Sequence, residues 1–259
     1  MDSNTMNWVL VDNSQGATTQ DGSMLSHAAL EMIAAAVQEQ INGEFADEWG
    51  GQAALRAGVG LNDIRPGEWA YVLLPSLPDA PGASAYHDIT GKGVPFALCA
   101  VTTCHSLFGP NGISVDVSHE CLETAGDRGA NLYAFDDHRT LHALELCDAV
   151  EVQTYGSKPR ADGTVVQVSN WLLRAWFDPH AVGPYDYMSS KGLAGAVAPS
   201  GPLQTAKGQG GNYQIVSPWA GSSQTFADQR NIVGVRRKGK VPHWSSRAFR
   251  RLAQLHQAI

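Results

Sequence analysis

The sequence lacks the features that mark membrane and exported proteins. No uninterrupted apolar run approaches the ~18 residues that a membrane-spanning helix needs. The N-terminal segment has neither the basic region nor the apolar core of a secretory signal. The four cysteines include no Cys-x-x-Cys pair, so no disulfide framework is expected. These absences predict a protein that stays in the cytoplasm without a membrane partner, with its cysteines reduced and buried.

Charged residues are scarce, and acidic ones are missing from the last part of the chain. They make up 17% of the sequence, and all 25 acidic residues lie at or before Asp228. Eight of the 18 basic residues follow it: Arg230, Arg236, Arg237, Lys238, Lys240, Arg247, Arg250 and Arg251. A cationic segment on an acidic body predicts contact with nucleic acid or an acidic protein. A solvated tail that pairs with the body fits the same pattern.

The remaining composition is that of a globular protein with a sizeable core and many turns. The chain has 259 residues, of which 43% are hydrophobic and 27 are glycine. Helical spacing of apolar residues predicts a long helix from Met24 to about Phe45, with Ser23 as its N-cap. Residues 53–104 are rich in short apolar runs bounded by Pro and Gly, which predicts a sheet. A hairpin is predicted around the turn at 161–163.

One short motif carries the functional hypothesis. After the breaker at 109–112, His119-Glu120-Cys-Leu-Glu123 falls on a predicted helix, which places His119 and Glu123 one turn apart on the same face. Such a pair can hold one divalent ion, and Glu120 can act as general base on a water bound to that ion. This is the pattern of His-Glu-x-x-His metallohydrolases with a carboxylate in place of the second imidazole. The competing interpretation is an ordinary amphipathic helix with solvated His and Glu side chains.

A catalytic zinc needs a third protein ligand. Glu145 is the first choice, and Asp148 would then orient His119, although the sequence alone leaves these two roles interchangeable. Asp127 is a weaker candidate, because eight residues of straight helix place it about 12 Å from His119 along the axis. Zinc is the expected metal, and calcium is the alternative for an acidic cluster. One imidazole with two carboxylates leaves zinc little net charge, so an inactive, structural metal competes with a catalytic one.

Other candidate side chains have weaker support. Tyr185 and Tyr187 could donate to an oxyanion, although tyrosines in such positions more often pack in the interior. Four histidines outside the motif are expected to be ordinary surface or core residues rather than ligands: His87, His105, His138 and His142.

Several stretches resemble a group of zincin-like, metallopeptidase-type proteins of bacteria and phages that carry a Ser-His-Glu-x-x-Glu motif. The matching stretches are residues 34–50, 85–95, 118–127, 145–148, 168–171 and 176–179. Ser118-His-Glu-Cys-Leu-Glu123 and Glu145-Leu-Cys-Asp148 are the most distinctive of them. The group usually has Asp-Pro after the helix, whereas Arg128 follows Asp127 here, so a different exit from the helix is expected. The resemblance implies the fold and a metal site but supplies no substrate.

The sequence therefore predicts an α+β, zincin-like domain over residues 21–216. An N-terminal arm over residues 1–20 and a basic C-terminal extension over residues 217–259 flank this domain. The leading hypothesis is a zinc-dependent hydrolase acting on a peptide or protein substrate. The alternative is a structural or interaction protein, for example a phage particle component that assembles with other chains. Its location is then the virion rather than the cytoplasm.

Overall fold

A five-stranded mixed sheet forms the centre of the protein, in a computed structural model that describes residues 5–138, 140–208, 211–218 and 224–227. Its strands are β1 (Thr5–Asp12), β2 (Gln52–Gly58), β3 (Trp69–Leu74), β4 (Ala85–Ile89) and β5 (Pro95–Ala100). They lie in the order β2-β1-β3-β5-β4. Neighbouring strands are parallel except at one edge, where β4 runs antiparallel to β5. The predicted sheet over residues 53–104 is thus confirmed.

The first strand corrects the predicted N-terminal arm. Strand β1 lies between β2 and β3, where Trp8 pairs with Leu55 on one side and Trp69 on the other. Residues 8–11 are fully buried. A continuous apolar run of this kind is typical of a parallel strand covered on both faces. The apolar run at residues 8–11 indicated a strand within the predicted arm, but residues 5–12 lie inside the central sheet. The sequence could not show this, because the partners of a parallel strand lie far along the chain.

The predicted long helix is present in two α-helical parts. Helix α1 (His27–Gln40) begins after Ser26, whose Oγ accepts a hydrogen bond from the backbone N–H of Ala29 at 3.1 Å. Ser26, rather than Ser23, is therefore the N-cap. The helix continues through a π-helical turn (Ile41–Phe45) into α2 (Ala46–Trp49). It ends at Gly50, whose φ of 77° is readily adopted only by glycine.

Helix α3 (Ile113–Gly126) carries the motif and starts directly after the predicted breaker. It packs against β4 and β5 of the sheet, against α1, and against β9 (Gln167–Ser169). Eleven of its 14 residues are buried because neighbours cover it on several faces. The exposed fractions are 7% for His119, 4% for Glu120 and 0% for Glu123, so the solvated-helix interpretation is wrong.

The rest of the chain adds smaller elements around this core. They are β6 (Tyr133–Phe135), β7 (Thr140–Ala143), β8 (Thr154–Gly156), α4 (Tyr187–Lys191), β10 (Tyr213–Pro218) and β11 (Gln224–Ala227). A second sheet has the order β11-β10-β7-β6, and β8 pairs antiparallel with β9 as the predicted hairpin. The architecture is a mixed α/β arrangement with few helices, consistent with α+β. Within the described ranges, no helix has the length and apolar character needed to cross a membrane.

The predicted boundary of the C-terminal extension at residue 217 falls inside strand β10. Strand β10 pairs with β7, so residues 217 and 218 belong to the second sheet rather than to a separate tail. The eight basic residues that motivated the nucleic-acid hypothesis lie outside the described residues. That hypothesis stays a prediction from sequence.

Candidate metal centre

The buried side chains of His119, Glu123 and Asp148 lie close together beside the middle of α3. His119 Nε2 lies 3.2 Å from Glu123 Oε1 and 3.3 Å from Asp148 Oδ1. One ligand atom from each of the three residues lies within 4.8 Å of the other two. The pair on α3 meets because residues four apart share one face of a helix. Asp148 comes from a separate segment, at the start of a 3-10 turn (Asp148–Val150).

These spacings suit a small divalent cation. Zinc binds imidazole nitrogen and carboxylate oxygen at about 2.0–2.2 Å, so two ligands at tetrahedral angles lie about 3.3–3.6 Å apart. The measured 3.2 Å and 3.3 Å are close to this range. The donor set of one imidazole and two carboxylates is one that zinc accepts.

The backbone around Asp148 is tied to α3. The N–H of Cys147 donates a hydrogen bond to Glu123 Oε1 at 3.2 Å. Leu146 is fully buried, and its side chain packs so close to Gly126 that a Cβ at that position would lie 2.4 Å from Leu146 Cδ1. The neighbouring backbone is held as well, because Leu172 N–H donates to the Leu146 carbonyl at 2.7 Å. The segment that carries Asp148 is thus fixed against the C-terminal half of α3.

His87 adds a second group that the sequence did not predict. It lies on β4, with Nδ1 at 2.8 Å from Glu120 Oε2 and 3.4 Å from Glu123 Oε2. Its exposed fraction is 1%, and His87, Glu120 and Glu123 also form a set of mutually close ligand atoms. His87 is thus a core histidine, one of the two positions expected for it, but its place beside Glu120 and Glu123 was not predicted. The alternation of side chains along a strand was the signal that could have found it, because it places His87 on the same face of β4 as Ala85, which is buried.

Glu145, the first choice for the third ligand, lies in another position, and Asp127 lies outside the His119 group, as expected for the weaker candidate. Glu145 Oε2 lies 3.9 Å from His87 Nε2, so this carboxylate borders His87. Asp148, rather than Glu145, completes the group around His119. Asp127 caps the end of α3, and its Oδ2 accepts the N–H of Leu132 at 2.7 Å, which closes the following loop.

The two candidate tyrosines have other partners. Tyr185 Oη donates to the Ala181 carbonyl at 3.1 Å, and Tyr187 Oη donates to Glu44. The Tyr187 ring also stacks on Trp171 with a centroid distance of 5.0 Å. These contacts correspond to the packing role that the sequence analysis kept as the alternative.

Electrostatic coupling is strong in this buried cluster. Burial raises the pKa of the Asp148 carboxyl to about 6, and the nearby Glu123 carboxylate adds to the rise. Burial by itself lowers the pKa of His119, but the Glu123 and Asp148 carboxylates raise it well above its ordinary value. Burial likewise raises the pKa of Glu123, whereas His119 and His87 hold it well below its usual range. His119 and Glu123 therefore form an ion pair that a metal would replace.

Access to the cluster is narrow. The side chains of His119 and Glu120 are 8% and 5% exposed, respectively. A cavity of about 460 Å³ lies at the C-terminal end of α3 and is lined by Gly126 and Asp127, among others. A second cavity of about 720 Å³ is lined by Gln40 and Tyr155, among others. Neither of these two cavities is lined by the motif residues.

Comparison of this chain with protein-family models, with curated proteins and with solved structures finds no match in any of the three.

Proposed function

We propose that the protein is a zinc-dependent hydrolase that cleaves peptide bonds. In this proposal His119, Glu123 and Asp148 hold the ion and Glu120 acts as general base. The ligand set departs in one position from the first choice made on sequence, because Asp148 takes the place of Glu145.

The burial and incomplete hydrogen bonding of the Asp148 carboxylate are the observation that carries the proposal. This carboxylate is 1% exposed; Oδ1 lies 3.3 Å from His119 Nε2, whereas Oδ2 accepts no hydrogen bond from a described residue. Buried carboxylates normally have hydrogen-bond partners or coordinate a metal. A cation between Asp148, His119 and Glu123 would supply the missing interaction.

The order of the elements supports a zincin-like assignment. The long helix α1 comes before strands β2–β5, and the motif helix α3 follows them. A long helix, a sheet and a second helix with His-Glu-x-x-Glu form the same order as in the upper domain of zinc-dependent peptidases. Since one fold can host many functions, this likeness supports the proposal less strongly than the side-chain geometry does.

The ion, Glu120 and His87 have different roles in the proposed reaction. A zinc ion held by His119, Glu123 and Asp148 would supply Lewis-acid chemistry and lower the pKa of a nearby water. Glu120 accepts the proton of the attacking water, and His87 Nδ1, 2.8 Å away, fixes the orientation of that carboxylate. The water oxygen bonds to the carbonyl carbon, the C–N bond breaks, and Glu120 returns the proton to the leaving amine.

The test compares Glu120→Gln with wild type in metal content and in cleavage of a peptide library. Glu120→Gln should keep the zinc and the fold and lose about 10²–10⁴-fold in rate, because only the base is removed. Glu31→Gln is the matched control, since Glu31 lies on α1 with its side chain 63% exposed. His119→Ala should lose one zinc per chain. Zinc content unchanged in His119→Ala would contradict the ligand assignment.

A structural role for the ion is the second candidate, and the burial of the cluster favours it. With the His119 and Glu120 side chains less than a tenth exposed, a substrate has little room to approach. In this case the protein is a structural or interaction protein, such as a particle component. Wild type would then cleave nothing in the library, whereas His119→Ala would still lose its zinc and melt at a lower temperature.

A further inference from the structure

A second group of potential ligands lies at the other end of α3. Cys99 lies on β5, Cys104 directly follows the 3-10 turn Val101–Thr103, and Asp116 lies in the first turn of α3. The two Sγ atoms are 3.6 Å apart. Asp116 Oδ2 lies 3.3 Å from Cys104 Sγ and 3.8 Å from Cys99 Sγ. Three ligand atoms from three separate elements therefore form a compact triangle.

The triangle has the dimensions of one face of a zinc tetrahedron. With Zn–S at about 2.3 Å and Zn–O at about 2.0–2.2 Å, the S···S edge is about 3.8 Å and the S···O edge about 3.6 Å. The measured edges differ from these values by 0.3 Å or less. Zinc could thus bind with small side-chain shifts.

The surrounding contacts orient the three side chains. Ser84 Oγ donates to Asp116 Oδ1 at 3.3 Å, which directs Oδ2 towards the two sulfurs. The carbonyl of Ala100 accepts from Thr103 Oγ1 at 2.8 Å and so closes the turn that brings Cys104 back to Cys99. Both sulfurs are buried and the residue Asp116 is only partly exposed, so an ion held by the three side chains would be largely shielded from solvent.

Charge balance also favours an ion here. Cysteine thiols ordinarily lose their proton only above neutral pH. With both thiols protonated and Asp116 ionised, the metal-free group has a charge of −1. A zinc ion that displaces two thiol protons leaves the same charge of −1. Binding consequently adds no net charge to the buried group.

We infer that Cys99, Cys104 and Asp116 form a structural zinc site, separate from the His119 centre. The ion joins the end of β5 to the first turn of the motif helix. It stabilises the start of α3, one turn before Glu120, without taking part in hydrolysis. This site does not depend on the proposed function, since its ligands and its test are independent of it.

Cobalt substitution of the full-length wild-type chain is the first test. Thiolate ligation of Co²⁺ produces a near-ultraviolet charge-transfer band, and neither imidazole nor carboxylate produces it. The band should appear in wild type and in His119→Ala, and it should fall to baseline in Cys99→Ala and Cys104→Ala. Cys121→Ala is the matched control, because Cys121 is a buried thiol on the same helix outside the triangle, and should keep the band.

Zinc content and proton release provide the second test. Zinc should fall by one ion per chain in Cys104→Ala, and filling of the site in His119→Ala should release about two protons per ion. Wild type without the cobalt band, or a Cys99–Cys104 disulfide in the protein as purified, would overturn the inference. A band that survives Cys104→Ala and disappears in Cys147→Ala would also overturn it. The wild-type measurement remains decisive if a variant fails to fold.

Discussion

His87 on β4 and Glu120 on α3 lie 33 positions apart in the chain, and their side chains meet at 2.8 Å in the interior. This contact joins the antiparallel edge strand of the sheet to the motif helix at the residue proposed as general base. The same imidazole lies 3.4 Å from Glu123 and, through its other nitrogen, 3.9 Å from Glu145. It therefore sets the positions of several carboxylates of the cluster.

Replacing His87 should show whether this residue orients Glu120 or binds the metal ion. His87→Ala should keep the zinc of the His119 centre but lower the rate constant of hydrolysis by about 10–100-fold, because Glu120 loses the group that orients it. His87→Asn should restore part of the rate, since the Asn amide can donate from nearly the same place as Nδ1. The pH–rate profile should shift in His87→Ala but not in the Glu31→Gln control. Loss of zinc from His87→Ala would instead make His87 a ligand.

The third ligand can be identified by comparing two carboxamide variants. Asp148→Asn should weaken zinc binding at the His119 centre by about 10–100-fold or more, because it removes a charged ligand. Glu145→Gln should have a much smaller effect, since Glu145 borders His87 rather than His119. Competition with a chromophoric chelator measures both affinities. The reverse ranking would return the role to Glu145, the first choice from sequence.

A partly buried ion pair predicts a pH-dependent contribution to stability. Arg56 Nε donates to Glu68 at 2.7 Å, and this hydrogen bond lowers the pKa of Glu68 below its ordinary value of 4.5. Because the folded-state pKa is depressed, the stabilisation is present above pH 4.5 and is lost as the pH falls through the folded-state value. Glu68→Gln should reduce the free energy of unfolding by about 1–3 kcal/mol at pH 7.

The same Glu68→Gln difference should disappear in strongly acidic solution. Denaturant unfolding at pH 7 and at successively lower pH measures it, with Glu31→Gln as the exposed control that changes stability by less than about 0.5 kcal/mol. A difference that stays constant with pH would mean that Glu68 acts through packing rather than through its charge.

The contact between Gly126 and Leu146 predicts a steric effect on the site. Gly126→Ala should lower the free energy of unfolding by about 1–3 kcal/mol, because its Cβ would overlap the buried Leu146 side chain. Gly91→Ala is the matched control, since a Cβ there has no neighbour within 4 Å. Gly126→Ala should lower the free energy of unfolding by a smaller amount when Leu146 is replaced by Ala in the same chain. An equal decrease with Leu and with Ala at position 146 would contradict the steric explanation.

Local patterns in the sequence located the long helix, the motif helix, much of the sheet and the ligand pair on α3. The breaker at 109–112 and the spacing of His119 and Glu123 define α3 and its ligand pair, because helical geometry depends only on nearby residues. The apolar runs at 69–74 and 95–103 indicated strands for the same reason. The N-cap was misplaced by three residues, since Ser23 and Ser26 offer the same chemistry and only the actual backbone path selects between them.

Contacts between distant segments could not be predicted from the sequence. A single histidine in a strand gives no sign of what lies opposite, so His87 was taken for an ordinary residue. Glu145 and Asp148 could not be ranked because they are only three residues apart, and the 3-10 turn decides which one points at His119. The proximity of Cys99 and Cys104 follows from a turn after β5 that their spacing does not reveal.

The sequence by itself determined the motif helix, its His-Glu-x-x-Glu face and the α+β character of the chain, because these depend on residue type and local periodicity. Only the tertiary structure decided that β1 belongs to the sheet, that His87 joins the cluster and that Asp148 faces His119. Parallel strand pairing and the convergence of ligands depend on how distant segments pack. Two residues that are far apart in the chain become neighbours only through the fold.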